Sequence, residues 1–257
     1  MLCMKERESS QFRHSIKGPS SLLETPELAL VVPTLREADN ITHVLDRVRQ
    51  SLDPLGIEYQ LIVVDDDSRD GIESLVQQVS AEDRRITCLV RSGSRGLAGA
   101  INYGWSHSKA EVLGVIDADL QHPPELLPQL WQTMLKGYDL VIASRYAAPG
   151  GMRGWNPLRR LLSRLSTRLA SPLQKHSIRV SDPLSGFFLV RRSCLEGCVL
   201  QEQGFKILLE ILVQGKVRTV AEVPFVFGQR EGGISKAGLK TGLEYFQLLY
   251  RLWRQKQ

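Results

Sequence analysis

Long apolar runs are missing from this sequence of 257 residues. No run approaches the ~20 apolar residues that a helix needs to span a bilayer, so we expect no membrane-spanning segment. Residues 1–27 are polar and mixed in charge and contain no apolar signal-peptide core, which predicts a flexible arm and a cytoplasmic protein. Hydrophobic residues still make up 42% of the chain, enough for one large α/β domain or two small ones.

Cysteine is scarce. The chain has only Cys3, Cys88, Cys194 and Cys198. Cys194 and Cys198 could share one face of a helix, but two thiols without further cysteine or histidine partners make a poor zinc site. We therefore expect free, buried thiols.

The glycine-rich loops of two common classes of nucleotide-binding protein are absent. A Rossmann dehydrogenase needs Gly-x-Gly-x-x-Gly after its first strand, whereas this chain has Pro33-Thr34-Leu35-Arg36-Glu37 there. The P-loop signature is absent as well. A nucleotide would have to be held in a different way from either class.

Acidic residues are absent from one long stretch. Between Asp139 and Asp182 there is no Asp or Glu, but there are eight bases, more than the formal net charge of +5 of the whole chain. Such a region predicts an anionic partner. Nucleic acid is one candidate, but no recognised nucleic-acid motif accompanies the bases, so we expect no nucleic acid. The bases are Arg145, Arg153, Arg159, Arg160, Arg164, Arg168, Lys175 and Arg179.

Apolar runs alternate with helical patterns through the first 146 residues. This alternation predicts an α/β fold with a mostly parallel, doubly wound sheet flanked by helices. The predicted strands are Leu28–Val32, Tyr59–Val64, Ile86–Val90, Val112–Ile116 and Leu140–Ala143.

After Tyr146 the alternation breaks. A basic amphipathic helix is expected within about residues 156–173, and an amphipathic tail helix within residues 237–257. Between them we predict strands at Pro183–Val190 and Val217–Val223, separated by a helix at Gly204–Gln214.

Acidic side chains follow three of the predicted strands. Glu37 comes after the first, Asp65 and Asp66 after the second, and Asp117 and Asp119 after the fourth. Parallel strands place these ends along one edge of the sheet, where open α/β sheets bind ligands. Two acids spaced like Asp117 and Asp119 repel unless a cation lies between them, and a divalent ion carrying a phosphate suits oxygen ligands.

A purely structural role is the alternative for each acid. Caps and turn formers are commonly acidic, and this reading suits Asp67, Ser68 and Asp70 well. A structural role explains less well why acidic residues follow three of the predicted strands at once.

Short motifs run in a fixed order from Leu28 to the tail helix. They are Val31-Val32-Pro33-Thr34 with Glu37 and Asn40; Val63-Val64-Asp65-Asp66 with Ser68, Asp70 and Gly71; Gly96-Leu97; Asp117-Ala118-Asp119-Leu120-Gln121-His122-Pro123-Pro124-Glu125; Ser144-Arg145-Tyr146; Ser181-Asp182-Pro183 with Ser185-Gly186-Phe187; and Ser235-Lys236. The ordered set resembles that of the inverting family-2 glycosyltransferases with a GT-A fold. Among these it is most similar to the dolichol-phosphate (polyprenol-phosphate) mannosyltransferases. The resemblance implies a Rossmann-like GT-A domain over residues 28–236, with amphipathic helices at a membrane interface.

The resemblance also implies roles for the residues that match. Asp117, Ala118 and Asp119 would meet the donor diphosphate, and Mg²⁺ or Mn²⁺ would be held by Asp119 and Gln121 with Asp117. Asp119, Arg145 and Asp117 would carry the catalysis. The nucleotide would be lined by Pro33, Leu35, Glu37, Val64 and Asp66, and its phosphates would be contacted by Arg145, Arg230 and Lys236.

The chain departs from the family pattern at four positions. The family has Tyr-Asn where this chain has Leu35-Arg36, Gly or Asn at Asp67, and Pro at Arg69. An aromatic partner for the base is therefore missing.

The implied reaction moves mannose from GDP-mannose to a polyprenyl phosphate with inversion, giving a β-linked product. The acceptor oxygen is already ionised near neutral pH, so no general base is required, and His122 is expected to support the neighbouring acids or the turn. Transfer of another hexose from a UDP-sugar to polyprenyl phosphate or to a saccharide stays open, with Asp182 as the candidate base for a saccharide. A third hypothesis is that the chain is a non-catalytic protein that binds a nucleotide or a lipid.

The basic helix has two readings. A charged face is usually solvated and a leucine stripe usually belongs to a core, but both features also suit a helix lying on anionic lipid. We expect the second. The protein would then sit peripherally on the cytoplasmic face of a membrane, by itself or through a membrane-anchoring partner protein.

Overall fold

A seven-stranded sheet forms the centre of the molecule. The structure is a computed structural model that describes residues 25–93, 95–147, 151–152, 157–201, 204, 206–228 and 239–256. Most of the predicted arm, residues 1–24, lies outside the described residues. The strands are β1 (Leu28–Thr34), β2 (Tyr59–Asp65), β3 (Ile86–Val90), β4 (Val112–Val115), β5 (Leu140–Ser144), β6 (Gly151–Met152), β7 (Phe188–Arg191), β8 (Val220–Pro224) and β9 (Val226–Phe227).

Seven α-helices accompany the strands in the described part of the chain. The described part of the chain also contains five short 3₁₀ segments, including Pro124–Leu126. The helices are α1 (Ala38–Leu52), α2 (Ile72–Glu82), α3 (Leu97–Ser106), α4 (Leu127–Met134), α5 (Pro157–Ala170), α6 (Ile207–Gln214) and α7 (Leu239–Lys256).

The strand order is β3-β2-β1-β4-β7-β5-β8. Neighbouring strands are parallel except for β7, which runs antiparallel between β4 and β5. A separate parallel pair joins β6 to β9. The predicted mostly parallel sheet is therefore confirmed.

Helices cover both faces of the sheet, as a doubly wound fold requires. One apolar core contains side chains of α1, α2 and α4, and the other contains those of α3 and α6. Gly104 lets α3 approach the sheet closely, since a Cβ there would lie 2.7 Å from Val31 Cγ2 and 2.9 Å from Val64 Cγ2.

The strand predicted over Pro183–Val190 is shorter than expected and begins only at Phe188. Residues before it form a turn, in which the Ser185 backbone N–H donates to the Asp182 carbonyl and the Ser185 side chain accepts from the Phe187 N–H. The Ser185 hydroxyl also donates to the Ala143 carbonyl at 2.8 Å, which ties this turn to β5. These local hydrogen bonds replace those of a strand.

Helices α5 and α7 pack together beside α6 around a third, smaller core. The Tyr245 hydroxyl of α7 donates to the Ser166 carbonyl of α5 at 2.6 Å. Among the described residues, no helix combines the length and the apolar character that crossing a bilayer demands. Helices α5 and α7 lie within residues 156–173 and 237–257, the two stretches over which amphipathic helices were expected.

Candidate active site

The carboxyl ends of β2, β1 and β4 lie side by side at one edge of the sheet. Thr34 at the end of β1 is the register partner of Asp65 at the end of β2. Asp117 follows shortly after β4, on the other side of β1. The structure thus brings together the three acidic strand ends that the sequence singled out.

The ends of β1 and β2 are locked to each other by hydrogen bonds. Thr34 donates to Asp65 Oδ1 at 3.2 Å, and the Ser68 N–H donates to Asp65 Oδ2 at 2.9 Å. The Ser68 hydroxyl also contacts Asp65 and accepts from the Arg36 N–H at 2.8 Å. Asp65 is 3% exposed, and its carboxylate bonds to Thr34 and Ser68. It therefore holds the turn after β1 against the turn after β2.

Asp66 is held by Arg91, which the sequence did not single out, and by Gly96 of the Gly96-Leu97 motif. Arg91 donates to both of its carboxylate oxygens, at 2.7 and 3.0 Å, and the Gly96 N–H donates to Oδ2 at 2.8 Å. The Arg91 guanidinium also donates to the Gly96 carbonyl at 2.9 Å. Asp66 therefore fixes the start of α3 against the end of β2.

The other residues predicted to line the nucleotide surround this point. Pro33 and Val64 are buried register partners in β1 and β2. Leu35 is half-buried. Glu37 begins α1, where its carboxylate accepts a hydrogen bond from the Asn40 amide at 3.1 Å.

Asp117, Asp119 and His122 form the one group of potential metal ligands found in the described parts of the chain. One ligand atom from each lies within 4.8 Å of the others. Asp119 is 8% exposed, while the Asp117 side chain is 30% exposed and faces the site. Ala118 between them is buried.

A tight turn presents Gln121 beside these acids. Leu120 has a φ of 58°, a left-handed conformation that is costly for a residue with a Cβ. The turn is held because the Gln121 N–H donates to Asp119 Oδ1 at 3.2 Å, and because Gln121 and Gly228 exchange backbone and side-chain hydrogen bonds. Gln121 uses its amide nitrogen on the Gly228 carbonyl, so its oxygen is the atom suited to a cation.

These residues fit a hard divalent cation. Two carboxylates and an amide oxygen are the ligands that Mg²⁺ and Mn²⁺ prefer, and a neighbouring imidazole suits Mn²⁺. Asp117, Asp119 and Gln121 are the ligands that the family resemblance implied, and this assignment stays a prediction.

His122 lies behind the acids in an aromatic cage. It is 3% exposed and contacts the rings of Phe187, Phe225 and Phe227 at centroid distances between 5.1 and 5.7 Å. Its Nδ1 lies 3.2 Å from Asp117 Oδ2. This placement suits the supporting role that the sequence suggested, although the imidazole is close enough to belong to the ligand set.

The pKa of Asp117 is lower than that of an ordinary aspartate. Burial alone would raise it, but the adjacent His122 and the positive charges of Lys206 and Arg145 outweigh that effect. Gly186 lies directly against this carboxylate, since a Cβ there would come within 2.8 Å of Oδ2. Asp117 is thus ionised and closely confined.

Arg145 and Asp182 form a buried ion pair. The guanidinium donates to both carboxylate oxygens at 2.7 Å, and the Arg145 N–H donates to Oδ2 at 3.0 Å. Asp182 is 0% exposed, and its own N–H donates to Glu222 at 3.1 Å. Arg145 also lies over the ring of Phe227, at 5.5 Å.

Lys206 is a charged neighbour of Asp117 and Arg145 that was not predicted from the sequence. It precedes α6 and its ammonium donates to the Leu184 carbonyl at 3.5 Å. Burial lowers the pKa of Lys206, as does the charge of Arg145, whereas Asp117 and Asp182 raise it. No local signal marked this residue, because only the fold brings it beside the acids. The other two predicted phosphate contacts, Arg230 and Lys236, lie outside the described residues.

The doubly wound sheet with acids at the ends of β1, β2 and β4 is a GT-A fold. The chain belongs to glycosyl transferase family 2, whose sequence model matches residues 29–198. The family suggested by the motifs is therefore confirmed, and with it the expectation of a glycosyltransferase.

Relatives with established names match most of the chain. Dolichol-phosphate mannosyltransferase from Pyrococcus furiosus is 38% identical over 231 residues, which are 89% of this chain and 64% of that protein. The chain thus spans just under two thirds of that relative's length. Dolichol-phosphate mannosyltransferase from Saccharomyces cerevisiae is 35% identical over 237 residues, 88% of this chain and 87% of that protein.

Solved structures support the fold. Glucosyl-3-phosphoglycerate synthase from Mycobacterium tuberculosis, in complex with Mn²⁺, UDP and glucosyl-3-phosphoglycerate, matches with a TM-score of 0.60 at 19% identity. The match covers 90% of this chain and 80% of that one. The same enzyme has also been solved with Mg²⁺ and UDP.

Proposed function

We propose that this chain transfers mannose from GDP-mannose to a polyprenyl phosphate, with inversion at the anomeric carbon. The names of its relatives support the sugar and the acceptor. The metal-competent acids at the edge of the sheet support a nucleoside diphosphate as the leaving group.

The state of Asp182 is the observation that favours a phosphate acceptor over a saccharide. A hydroxyl acceptor needs a base to take its proton, and that base must reach the acceptor. Asp182 was the candidate, but it is fully buried with both oxygens bound to Arg145. An acceptor that arrives as an anion does not need this base.

Arg145 has the remaining capacity to bind phosphate. A guanidinium carries five N–H donors, and Asp182 engages only Nε and one donor of Nη2. The ion pair fixes the orientation of the others, and it keeps a positive charge at the site although 89% of the Arg145 side chain surface is covered. Fixed donors of this kind stabilise charge that develops during bond breaking without having to reorganise.

A divalent ion held by Asp119 and Gln121 with Asp117 would supply Lewis-acid stabilisation of the departing diphosphate. The protein's own residues orient that site. His122 and Gly186 confine the Asp117 carboxylate, while the turn at Leu120 fixes Asp119 and Gln121.

We infer further that α5 and α7 form the surface that meets the membrane. Leu161, Leu162, Leu165 and Leu169 of α5 are between 41% and 63% exposed. Phe246, Tyr250 and Trp253 of α7 are between 49% and 62% exposed. Exposed apolar side chains beside the exposed arginines of α5 suit an interfacial helix pair on anionic lipid.

We propose that the protein lies peripherally on the cytoplasmic face of a membrane, and this surface supports the membrane contact. The phosphate of a polyprenyl chain lies at the level of the lipid headgroups, so an enzyme docked there meets its acceptor directly. A membrane-anchoring partner protein could strengthen the docking through the same apolar side chains.

An acceptor panel tests the proposed function. Purified protein with GDP-mannose and Mn²⁺ is offered polyprenyl phosphate, unphosphorylated polyprenol and a mannose oligosaccharide, and the anomeric configuration of any product is read by NMR. We expect product from the phosphate alone, with a β linkage. Transfer to polyprenol or the oligosaccharide at a comparable rate would overturn the proposal.

A further inference from the structure

A buried carboxylate on α6 has no part in the site described above. Glu210 is 0% exposed and lies in the first turn of the helix, which begins after Lys206. A charge so far from water is costly unless donors or cations surround it. The Gln201 N–H donates to Oε2 at 3.1 Å, and Arg251 Nη2 of α7 lies 3.4 Å from Oε1. Because one neighbour is a donor and the other a cation, the ionised form of Glu210 fits this position.

Glu210 holds residues that precede α6. Side chains of a helix tilt towards its N-terminus, so the carboxylate reaches back to Gln201 and Gly204. A Cβ at Gly204 would come within 2.6 Å of Oε1, so the carboxylate lies directly against the backbone there. The Gly204 N–H donates to the Gln201 carbonyl at 3.1 Å, and the Glu210 N–H donates to the Lys206 carbonyl at 3.4 Å. Glu210 therefore constrains the chain on both sides of Lys206.

The residues that Glu210 constrains meet the active site at two points. Lys206 is a charged neighbour of Asp117. The Gly204 carbonyl accepts a hydrogen bond from the Ala98 N–H of α3 at 2.8 Å. Ala98 lies in the first turn of α3, where backbone N–H groups have no partner within the helix. A shift of the Glu210 carboxylate would thus reach both the acidic edge of the sheet and the start of α3.

Arg251 reaches Glu210 from the inner side of α7. Its neighbour Leu252 is 0% exposed, whereas Tyr250 and Trp253 are 62% and 49% exposed. Arg251 Nε and Nη2 and Glu210 Oε1 are buried, and none of them has a hydrogen-bond partner among the described residues. The two side chains therefore form an ion pair without a hydrogen bond, which the packing of α7 against α6 holds together. Such a contact depends on the position of α7.

The charge of Arg251 influences the ionisation of Glu210. Burial raises the pKa of Glu210, whereas the hydrogen bond from the Gln201 N–H and the charge of Arg251 lower it. Without Arg251 the carboxyl group would take up a proton more readily. A neutral carboxyl accepts a weaker hydrogen bond than a carboxylate does, so the hold on Gln201 would weaken.

We propose that Arg251 and Glu210 are positioning residues that couple α7 to the active site. With α7 packed against α6, the arginine keeps the carboxylate in place. The carboxylate holds the backbone before α6 and so fixes Lys206 beside Asp117. The inference rests on the proposed function, and it gives α7 a second role besides the membrane contact proposed for its outer side.

Kinetics of four variants test the coupling. Glu210→Gln, Arg251→Gln, the double variant with both changes, and Arg251→Lys are compared with the unsubstituted protein. The values of kcat and KM are measured for transfer from GDP-mannose to a short, water-soluble prenyl phosphate with Mn²⁺. No vesicles are present, so membrane binding does not contribute. Lys216→Gln is the matched control, since Lys216 and Glu196 form an ion pair whose side chains are 62% and 67% exposed.

Hydrogen exchange of the Ala98 amide reports the coupling without any substrate. Its acceptor is the Gly204 carbonyl, so a looser Gly204 speeds exchange at this amide. The amides of β1 are the reference. A loss of global stability alone would speed exchange in β1, whereas loss of the coupling acts selectively at Ala98.

We expect each single change to Gln to lower kcat about tenfold and to change KM for GDP-mannose less than about twofold, because a displaced charge affects the transition state most. The double variant should be no slower than the slower single variant, since the two side chains act as one unit. Exchange at Ala98 should be about tenfold faster in all three, with β1 unchanged. Arg251→Lys should keep at least about half of kcat because it retains the charge. Lys216→Gln should match the unsubstituted protein.

An unchanged kcat in either single Gln variant, additive losses in the double variant, or unchanged exchange at Ala98 would overturn the inference. Equal acceleration of exchange at Ala98 and in β1 would overturn it as well, because the pair would then serve stability alone. Failure of the proposed function is a separate result. If the unsubstituted protein transfers no mannose, that function is refuted, and selective exchange at Ala98 still decides whether α7 is coupled to the site.

Discussion

Single side chains around Asp117 and Arg145 set the shape of the site. Gly186 lies against one carboxylate, His122 against the same group from the aromatic cage, and Asp182 clamps the arginine. These contacts are short and mostly buried. A single substitution at one of them should therefore move the reacting groups and change kcat measurably.

Replacing Asp182 by Asn tests the role of the buried ion pair. The amide keeps the shape of the carboxylate but loses its charge and one acceptor oxygen, so Arg145 is held less well. We expect kcat to fall by up to about 100-fold with the shape of the pH–rate profile unchanged. Loss of the acidic limb of that profile would instead show that Asp182 acts as a general base.

Replacing Gly186 by Ala tests the confinement of Asp117. The added Cβ would lie 2.8 Å from Oδ2, so the carboxylate must move away from its present position. We expect kcat to drop by at least about tenfold with a small change in melting temperature. The control is Gly242→Ala on α7, where a Cβ meets nothing within 4 Å and activity should be preserved.

Motif order led to Asp117, Asp119, Gln121 and Arg145 as site residues, and their roles stay predictions. The structure groups Asp117 and Asp119 with His122, and the Gln121 N–H donates to Asp119. Arg91 and Lys206 were missed, because each reaches the site from an element distant in sequence. The engagement of Asp182 by Arg145 was also missed, since a charged pair 37 residues apart leaves no local pattern.

At the scale of elements, the alternating pattern predicted the first five strands to within one or two residues at each end. Apolar runs bounded by turn residues are reliable for β1, β2, β4 and β5 because these four strands are buried on both faces. The start of the antiparallel strand β7 was predicted too early, since Pro183, Leu184 and Ser185 form a turn before it. Its direction could not be read from the sequence, because side-chain periodicity is the same in either direction.

The junction of α1, α2 and β3 offers a prediction about stability. Asp83 follows α2 and contacts Arg49 of α1 at 3.3 Å and Arg85, which precedes β3, at 2.7 Å. The hydrogen bond from Arg85 lowers the pKa of Asp83 below its ordinary value. Since the Arg85 side chain is 36% exposed, solvent screening limits the contribution to about 1 kcal/mol.

Asp83→Asn should therefore lower the melting temperature by about 2–4 °C at pH 7. A carboxyl with a depressed pKa stabilises the fold above its unfolded pKa of about 3.9 and loses that effect as pH falls through its folded pKa. The difference between the two proteins should shrink as the pH drops below about 4. Melting curves from pH 3 to pH 7 check this, and a constant difference would contradict it.

At the scale of the whole molecule, the proposed function requires two regions. They are the acidic edge of the sheet, for the donor, and the surface formed by α5 and α7, for the membrane. The amphipathic character of both helices could be predicted from the sequence. Their contact through Tyr245 and Ser166 could not, because these residues are far apart in the chain. The pairing joins a helix with exposed leucines to a helix with exposed aromatic rings, which is why we propose that the membrane meets this part of the molecule.

Vesicle binding tests this surface. Trp253→Ser and Phe246→Ser should each weaken binding to vesicles of phosphatidylcholine and phosphatidylserine by about tenfold or less, since both rings are about half exposed. Binding should also weaken with added salt. Transfer to a short, water-soluble prenyl phosphate should be unchanged, whereas loss of both properties would indicate that the substitutions disturb folding.

The most direct test of the proposed function is transfer of radiolabelled mannose from GDP-mannose to polyprenyl phosphate with Mn²⁺. We predict a lipid-linked product that disappears with EDTA and in Asp119→Ala, and that persists in Asp46→Ala, a change of an exposed acid on α1. Absence of any lipid-linked sugar with GDP-mannose, or full activity in Asp119→Ala, would contradict it.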